Sequence, residues 1–214
     1  MQFSSIFELV IVAVAWAVLV IYHLNLFFKV KRQPLSTAIG ITNHARRRWV
    51  QIVMQEKHDI LAVQTLRNHV MAATFLATTA ILISLGLMGV AFRPGLYSDI
   101  SHALNLAGAR TETLWLFKLL VLVVLFFFAF FNFTLSIRYY NHGGIMINTR
   151  DADDPALSEE SVAAVLNHGA LHYTLGMRGF YLAVPIALWL FGPIWMLAGS
   201  LVLVAVLYRL DREA

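Results

Sequence analysis

Histidine is the residue type in this chain best suited to chemistry, and it is unevenly placed. His23, His69, His142, His168 and His172 all stand near the ends of long apolar stretches. Neutral imidazoles gathered from facing helices are what a b-type haem or a His-rich Cu, Fe or Zn centre requires, so these five form the candidate metal or haem set. His168 and His172 are four residues apart, which puts both rings on one face of a helix. The segment His168-Gly169-Ala170-Leu171-His172 lacks the glutamate of the zinc-protease signature, however. On one continuous helix His44, His58 and His69 would be separated by about 21 and 17 Å, too far to share an ion. Interfacial or hydrogen-bonding histidines, and proton or pH sensing, stand beside the cofactor reading. With no cysteine in the chain, thiolate ligands, iron–sulfur clusters and disulfides are excluded. The expectation is a protein without a cofactor, with haem or a His-ligated metal as the alternative.

Polar groups inside apolar runs form a second set. An ionisable side chain in hydrocarbon is costly and points to a partner or a function. Glu8 and Lys118 sit at equal depth near the outer ends of two runs and carry opposite charge, which predicts an intramembrane ion pair. Arg67, Asn68, Asn132, Arg138, Asn141 and Arg178 crowd the opposite ends and form the candidate binding band for an ion, a small solute or a partner. The cluster Arg46-Arg47-Arg48 followed by Trp49 suits an anionic lipid surface. The acidic segment Asp151–Asp154 reads as a solvated loop. No phosphate-binding loop, serine nucleophile motif or nucleic-acid module is present. The basic pI near 9.6 therefore reflects membrane topology, and no nucleic-acid partner is expected.

The elements that must position these residues are membrane helices. The 214 residues are 59% hydrophobic and 13% charged, where globular domains average about 25% charged. Apolar runs at 6–28, 70–92, 113–137 and 180–207 each reach the roughly 20 residues that cross a bilayer. The fold class is therefore all-α, an integral membrane four-helix bundle forming one domain over 1–214. Segments 29–69 and 138–179 are read as cytoplasmic, with helical extensions of spans two and four. In the first, Ile41, Ala45, Trp49, Ile52, Ile60, Val63 and Leu66 recur at helical spacing, and the helix is expected to run on into span two. In the other, Gly143-Gly144 predicts a turn, and Ser158 an N-cap ahead of Glu159 and Glu160. Span two carries a small-residue stripe, Ala73, Ala77, Ala80 and Ser84, that lets a neighbouring backbone approach. Pro185 and Gly192-Pro193 predict a kink in span four.

Lys29, Lys31 and Arg32 follow the first run, the pattern of a retained helix rather than a cleaved leader. Eleven of the sixteen Lys/Arg fall on the two long connections, four on the other face and Lys118 inside a span. The positive-inside rule then places both termini in the periplasm of a bacterial inner membrane. A two-hairpin repeat, with Arg67 matching Arg178, is a further expectation. The bundle has too little polar lining for a path of its own, so a homo-oligomer or a partner membrane subunit is expected.

Several strings resemble a known family. Leu61-Ala-Val-Gln-Thr-Leu-Arg-Asn68, Met71-Ala-Ala-Thr-Phe-Leu-Ala-Thr-Thr-Ala80, Ser136-Ile-Arg-Tyr-Tyr-Asn141 and His172-Tyr-Thr-Leu-Gly-Met-Arg-Gly-Phe-Tyr181 are similar to a multi-pass membrane family of bacteria and plants known only as a domain of unknown function (DUF599-type). The resemblance spans nearly the whole chain. It implies four spans and brings no activity, substrate or cofactor. Within it, Arg67, Asn68, Arg138, Asn141, His172 and Arg178 are the residues to test.

Overall fold

Hydrocarbon offers backbone amides no partner, so long apolar runs satisfy their own hydrogen bonds as helices. The computed structural model of the protein describes residues 2–56, 59–93, 111–149 and 154–212. Six α-helices carry the described chain: α1 Gln2–Arg32, α2 Ala38–Glu56, α3 Asp59–Ala91, α4 Glu112–Asn148, α5 Glu159–Leu188 and α6 Pro193–Leu210. Five of them, all but α2, are long and apolar enough to cross a membrane.

The fourth expected span, 180–207, is two helices rather than one kinked helix. α5 ends at Leu188, a short turn follows over Trp189–Phe191, and α6 begins at Pro193. Between them Gly192 has φ 138°, a conformation that a Cβ would strain. Proline then opens α6, where its missing N–H costs nothing. The chain reverses here and α6 returns along α5 and α1. A Cβ on Gly199 would stand 2.6 Å from Leu188 Cδ1, and the Asp211 carbonyl accepts from Ala38 N at 3.1 Å. Glu8 and Asp211 consequently lie at opposite ends of the bundle.

At 1.5 Å per residue, α3 and α4 are about 50 and 55 Å long, well beyond a ~30 Å hydrocarbon core. Two hydrophobic cores stack along that length. One lies within the bundle and includes Ala15, Ala77, Ala80, Leu122, Phe126, Ala129, Phe133, Ile186 and Met196. The other joins α2 to the extended ends of α3, α4 and α5 through Val50, Val53, Ala62, Leu66, Tyr140, Ile147, Val162 and Leu166. The stripe Ala73, Ala77, Ala80 and Ser84 is buried, with Ser84 Oγ donating to Val123 O of α4 at 3.2 Å.

Two sequence expectations about the connections change. α2 ends at Glu56 and α3 begins at Asp59, so the helix expected to run from Ile41 into span two is a hairpin. Gly143-Gly144 makes no turn, because α4 continues to Asn148. A Cβ on Gly143 would meet Leu166 Cδ2 at 2.5 Å, so this glycine serves close helix packing, not chain reversal. Ser158 does cap α5, accepting from Ser161 N at 3.3 Å, with Glu159 and Glu160 in the first turn. His58, Arg110 and most of the acidic segment Asp151–Asp154 lie outside the described residues.

Candidate functional site at the basic end of the bundle

Buried charged side chains lie at the two ends of the bundle, and the two sets differ in kind. At one end Lys118 Nζ lies 3.0 Å from Glu8 Oε1, both side chains at most 5% exposed. Trp189, on the turn before α6, donates its indole N–H to Glu8 Oε1 at 3.2 Å. Its ring centroid is 5.1 Å from Lys118 Nζ, within cation–π range. The pair expected from equal depth is thus a three-way contact joining α1, α4 and the reversal.

The other end holds a network that ties three helices to one carboxylate. Asp211, just past α6, accepts from the Tyr22 hydroxyl of α1 and from Arg178 of α5. It is 7% exposed, and its backbone amide closes α6 by donating to Leu207 O at 2.9 Å. A cavity of about 300 Å³ opens beside it, lined by Tyr22, Asn25, Leu26, Lys29, Thr37, Tyr208, Asp211 and Arg212. Arg212 lies over the Tyr208 ring, 3.9 Å from its centroid. Arg178 and Asp211 offset one another in charge, so Lys29 and Arg212 leave this cavity net positive. Arg178 Nη1 is buried and makes no hydrogen bond among the described residues. Along α1, Tyr22 is about 21 Å from Glu8, and the apolar bundle core lies between.

The candidate histidines are distributed rather than gathered. His172 Nδ1 is 3.0 Å from Asn132 Oδ1, and Asn132 Nδ2 donates to Phe128 O at 2.9 Å. That leaves the amide oxygen as acceptor, so His172 carries its proton on Nδ1. The Tyr139 ring stacks with His168 at 5.6 Å and His172 at 5.4 Å. His69 Nδ1 donates to Thr65 O at 2.9 Å and packs 5.2 Å from the Tyr140 ring. His23 Nδ1 bonds Leu19 O at 2.8 Å, and its Nε2 is buried without a partner among the described residues. His142 is exposed beside Arg138, Tyr139 and Asn141 on a groove of about 540 Å³. Among the described residues no three of His, Asp and Glu converge as a metal site. Arg67 and Asn68 are exposed on α3, unlike half-buried Arg178, so the matching positions of the expected repeat have different surroundings.

The three consecutive arginines also part company. Arg47 and Arg48 are exposed, whereas Arg46 is half-buried against α5. Arg46 Nη1 donates to Asn43 Oδ1 at 2.9 Å and Asn167 Oδ1 at 2.6 Å. Burial lowers the guanidinium pKa, and nearby Tyr140 partly opposes that shift.

A family model for a protein of unknown function, DUF599, matches residues 10–214. The chain belongs to the DUF599 family. No curated protein and no solved structure matches it. Membership in the DUF599 family brings no activity with it, so function has to be argued from the site.

Sequence reasoning missed Tyr22, Asp211, Asn167, Tyr139 and Tyr140. Asp211 escaped because a single fourth span carries it to the wrong end. A signal was present, since Leu171–Leu210 is about two minimal spans of mostly apolar residues with Gly-Pro near its middle.

Proposed function

We propose that this multi-pass membrane protein works as a transporter-like or partner-binding bundle, receiving a small anionic solute or partner group at its basic end. The observation that carries this reading is the Tyr22–Asp211–Arg178 network beside a cavity of net positive charge. Lys29 and Arg212 supply attraction, Tyr208 and Asn25 supply further polar contacts, and the buried ion pair fixes the wall. A standing pore through one copy is disfavoured, because the tightly packed core separates the polar groups at the two ends. Any conducting path would lie between copies or against a partner subunit.

The orientation proposed is a bacterial inner membrane with the N-terminus periplasmic and Asp211 cytoplasmic. The return of α6 supports it by adding Arg209 and Arg212 to the eleven Lys/Arg of the basic face, leaving only Arg93 and Arg110 opposite.

The test is a solute-stabilisation screen on purified protein, paired with conductance measurements in liposomes. The expected result is stabilisation by an organic or inorganic anion that Lys29→Gln and Arg212→Gln each reduce, without standing conductance. Conductance in the absence of ligand, or stabilisation indifferent to both substitutions, would overturn the proposal.

A further inference from the structure

A second cavity, of about 260 Å³, lies where α2 folds back on α3 and faces α4 and α5. It is distinct in place from the Asp211 network, and its chemistry is independent of the role proposed for that network. Arg46, Thr42 and Trp49 of α2, Thr65 and His69 of α3, and Tyr140 of α4 contribute to its walls. Both hydrogen bonds of Arg46 leave from Nη1, and both end on neutral amide oxygens. Nε and Nη2 make none among the described residues, and no carboxylate pairs with this cation there. A half-buried guanidinium without a counter-anion is costly, which raises the question of what completes it.

The rest of the wall points to an answer. Tyr140 is a buried residue that lines the cavity, and neither its hydroxyl nor that of Thr65 has a hydrogen-bond partner among the described residues. Arg46 is held in a fixed position by Asn43 and Asn167, which leaves the planar Nε/Nη2 edge of its fork free. That edge matches two oxygens of a tetrahedral oxyanion, the geometry in which arginine binds phosphate best. The cavity would hold about eight waters by volume, room for a phosphate group with its ester substituents. Trp49, Leu66 and Leu166 supply an apolar border.

We infer that this cavity is a phosphate-binding site, with Arg46 as the bidentate ligand and the Tyr140 and Thr65 hydroxyls as accessory donors. The phosphate is either that of an anionic phospholipid headgroup or a free phosphate, and the same donors serve both. Arg47 and Arg48, being exposed, contribute only diffuse attraction.

The probes are inorganic phosphate, titrated calorimetrically into protein in phosphatidylcholine nanodiscs, and phosphatidylglycerol incorporated into the same discs, read as thermal stabilisation. Saturable binding of either probe is expected, weakened at least tenfold in Arg46→Gln and several-fold in Tyr140→Phe, which keeps the packed ring. Arg46→Lys, which retains the charge but loses the fork, weakens binding as well, while Arg47→Gln and Arg48→Gln leave it within about twofold. Response to phosphate in neutral discs identifies a free ligand; response to phosphatidylglycerol alone identifies the headgroup. Absence of saturable response to both probes, or equal weakening by Arg47→Gln and Arg46→Gln, would overturn the assignment. If Arg46→Gln does not fold, Arg46→Lys and Tyr140→Phe decide, and full binding in both would refute it.

Discussion

Removing one partner of the Glu8–Lys118 pair leaves the other without its opposite charge in a nearly dry site. Lys118 is 2% and Glu8 4% exposed, so water cannot restore much of the lost interaction. The stranded group's cheapest escape is to lose its charge. At pH 7, protonating an ordinary carboxyl costs about 4 kcal/mol, and deprotonating an ordinary lysine costs about 5 kcal/mol. These ceilings fall within the roughly 3–5 kcal/mol seen when a buried pair loses one member. Lys118→Met is therefore expected to cost about 3–4 kcal/mol, and Glu8→Gln about 3–5 kcal/mol, including the loss of charge on the Trp189 acceptor. The double variant strands no charge and should cost much less than the sum, leaving a coupling of about 3 kcal/mol. Reversible detergent unfolding of the four proteins measures it. Additive single costs, agreeing with the double variant within about 0.5 kcal/mol, would refute the reasoning.

Two further substitutions probe how the packed helices of the bundle are held. Gly176→Leu puts a side chain where a Cβ would already stand 2.7 Å from Phe133 Cε1; a loss of at least about 2 kcal/mol is expected by the same unfolding assay, and an unchanged midpoint would contradict the packing. Asn132→Leu removes the bond to His172, an interhelical contact expected to contribute about 1 kcal/mol in a membrane. Its loss should also free the tautomer, visible as a shifted and broadened His172 ring nitrogen resonance; an unaltered signal would mean that Asn132 does not fix the ring.

The membrane character and the intramembrane pair were legible because each follows from a local rule. Hydrocarbon demands helices of sufficient length, and two opposite charges at one depth invite pairing. Ser158 was legible for the same reason, since an N-cap is a property of a few adjacent residues. The glycines were not, because their meaning depends on what lies across the gap. Gly143 sits inside α4 to admit Leu166, whereas Gly192, followed by proline, turns the chain around. Nothing in either dipeptide taken alone separates those roles. A single fourth span would put Asp211 at the far end of the bundle and hide the partner of Arg178. Three consecutive arginines look equivalent in a sequence. On a helix they point about 100° apart, and only the packing of α2 against α5 selects the one that turns inward.

The chain has no cysteine, so single reporters can be introduced to decide the topology on which the site at the basic end rests. Arg212→Cys, Arg48→Cys and Thr111→Cys are each labelled with a membrane-impermeant maleimide in right-side-out and inverted vesicles. Five crossings in the proposed orientation would place positions 212 and 48 on one face and 111 on the other, so the first two should label together in inverted vesicles and the third in right-side-out ones. If position 212 labels with 111 instead, α6 does not return, Asp211 cannot meet Tyr22 and Arg178, and the account of the basic end fails.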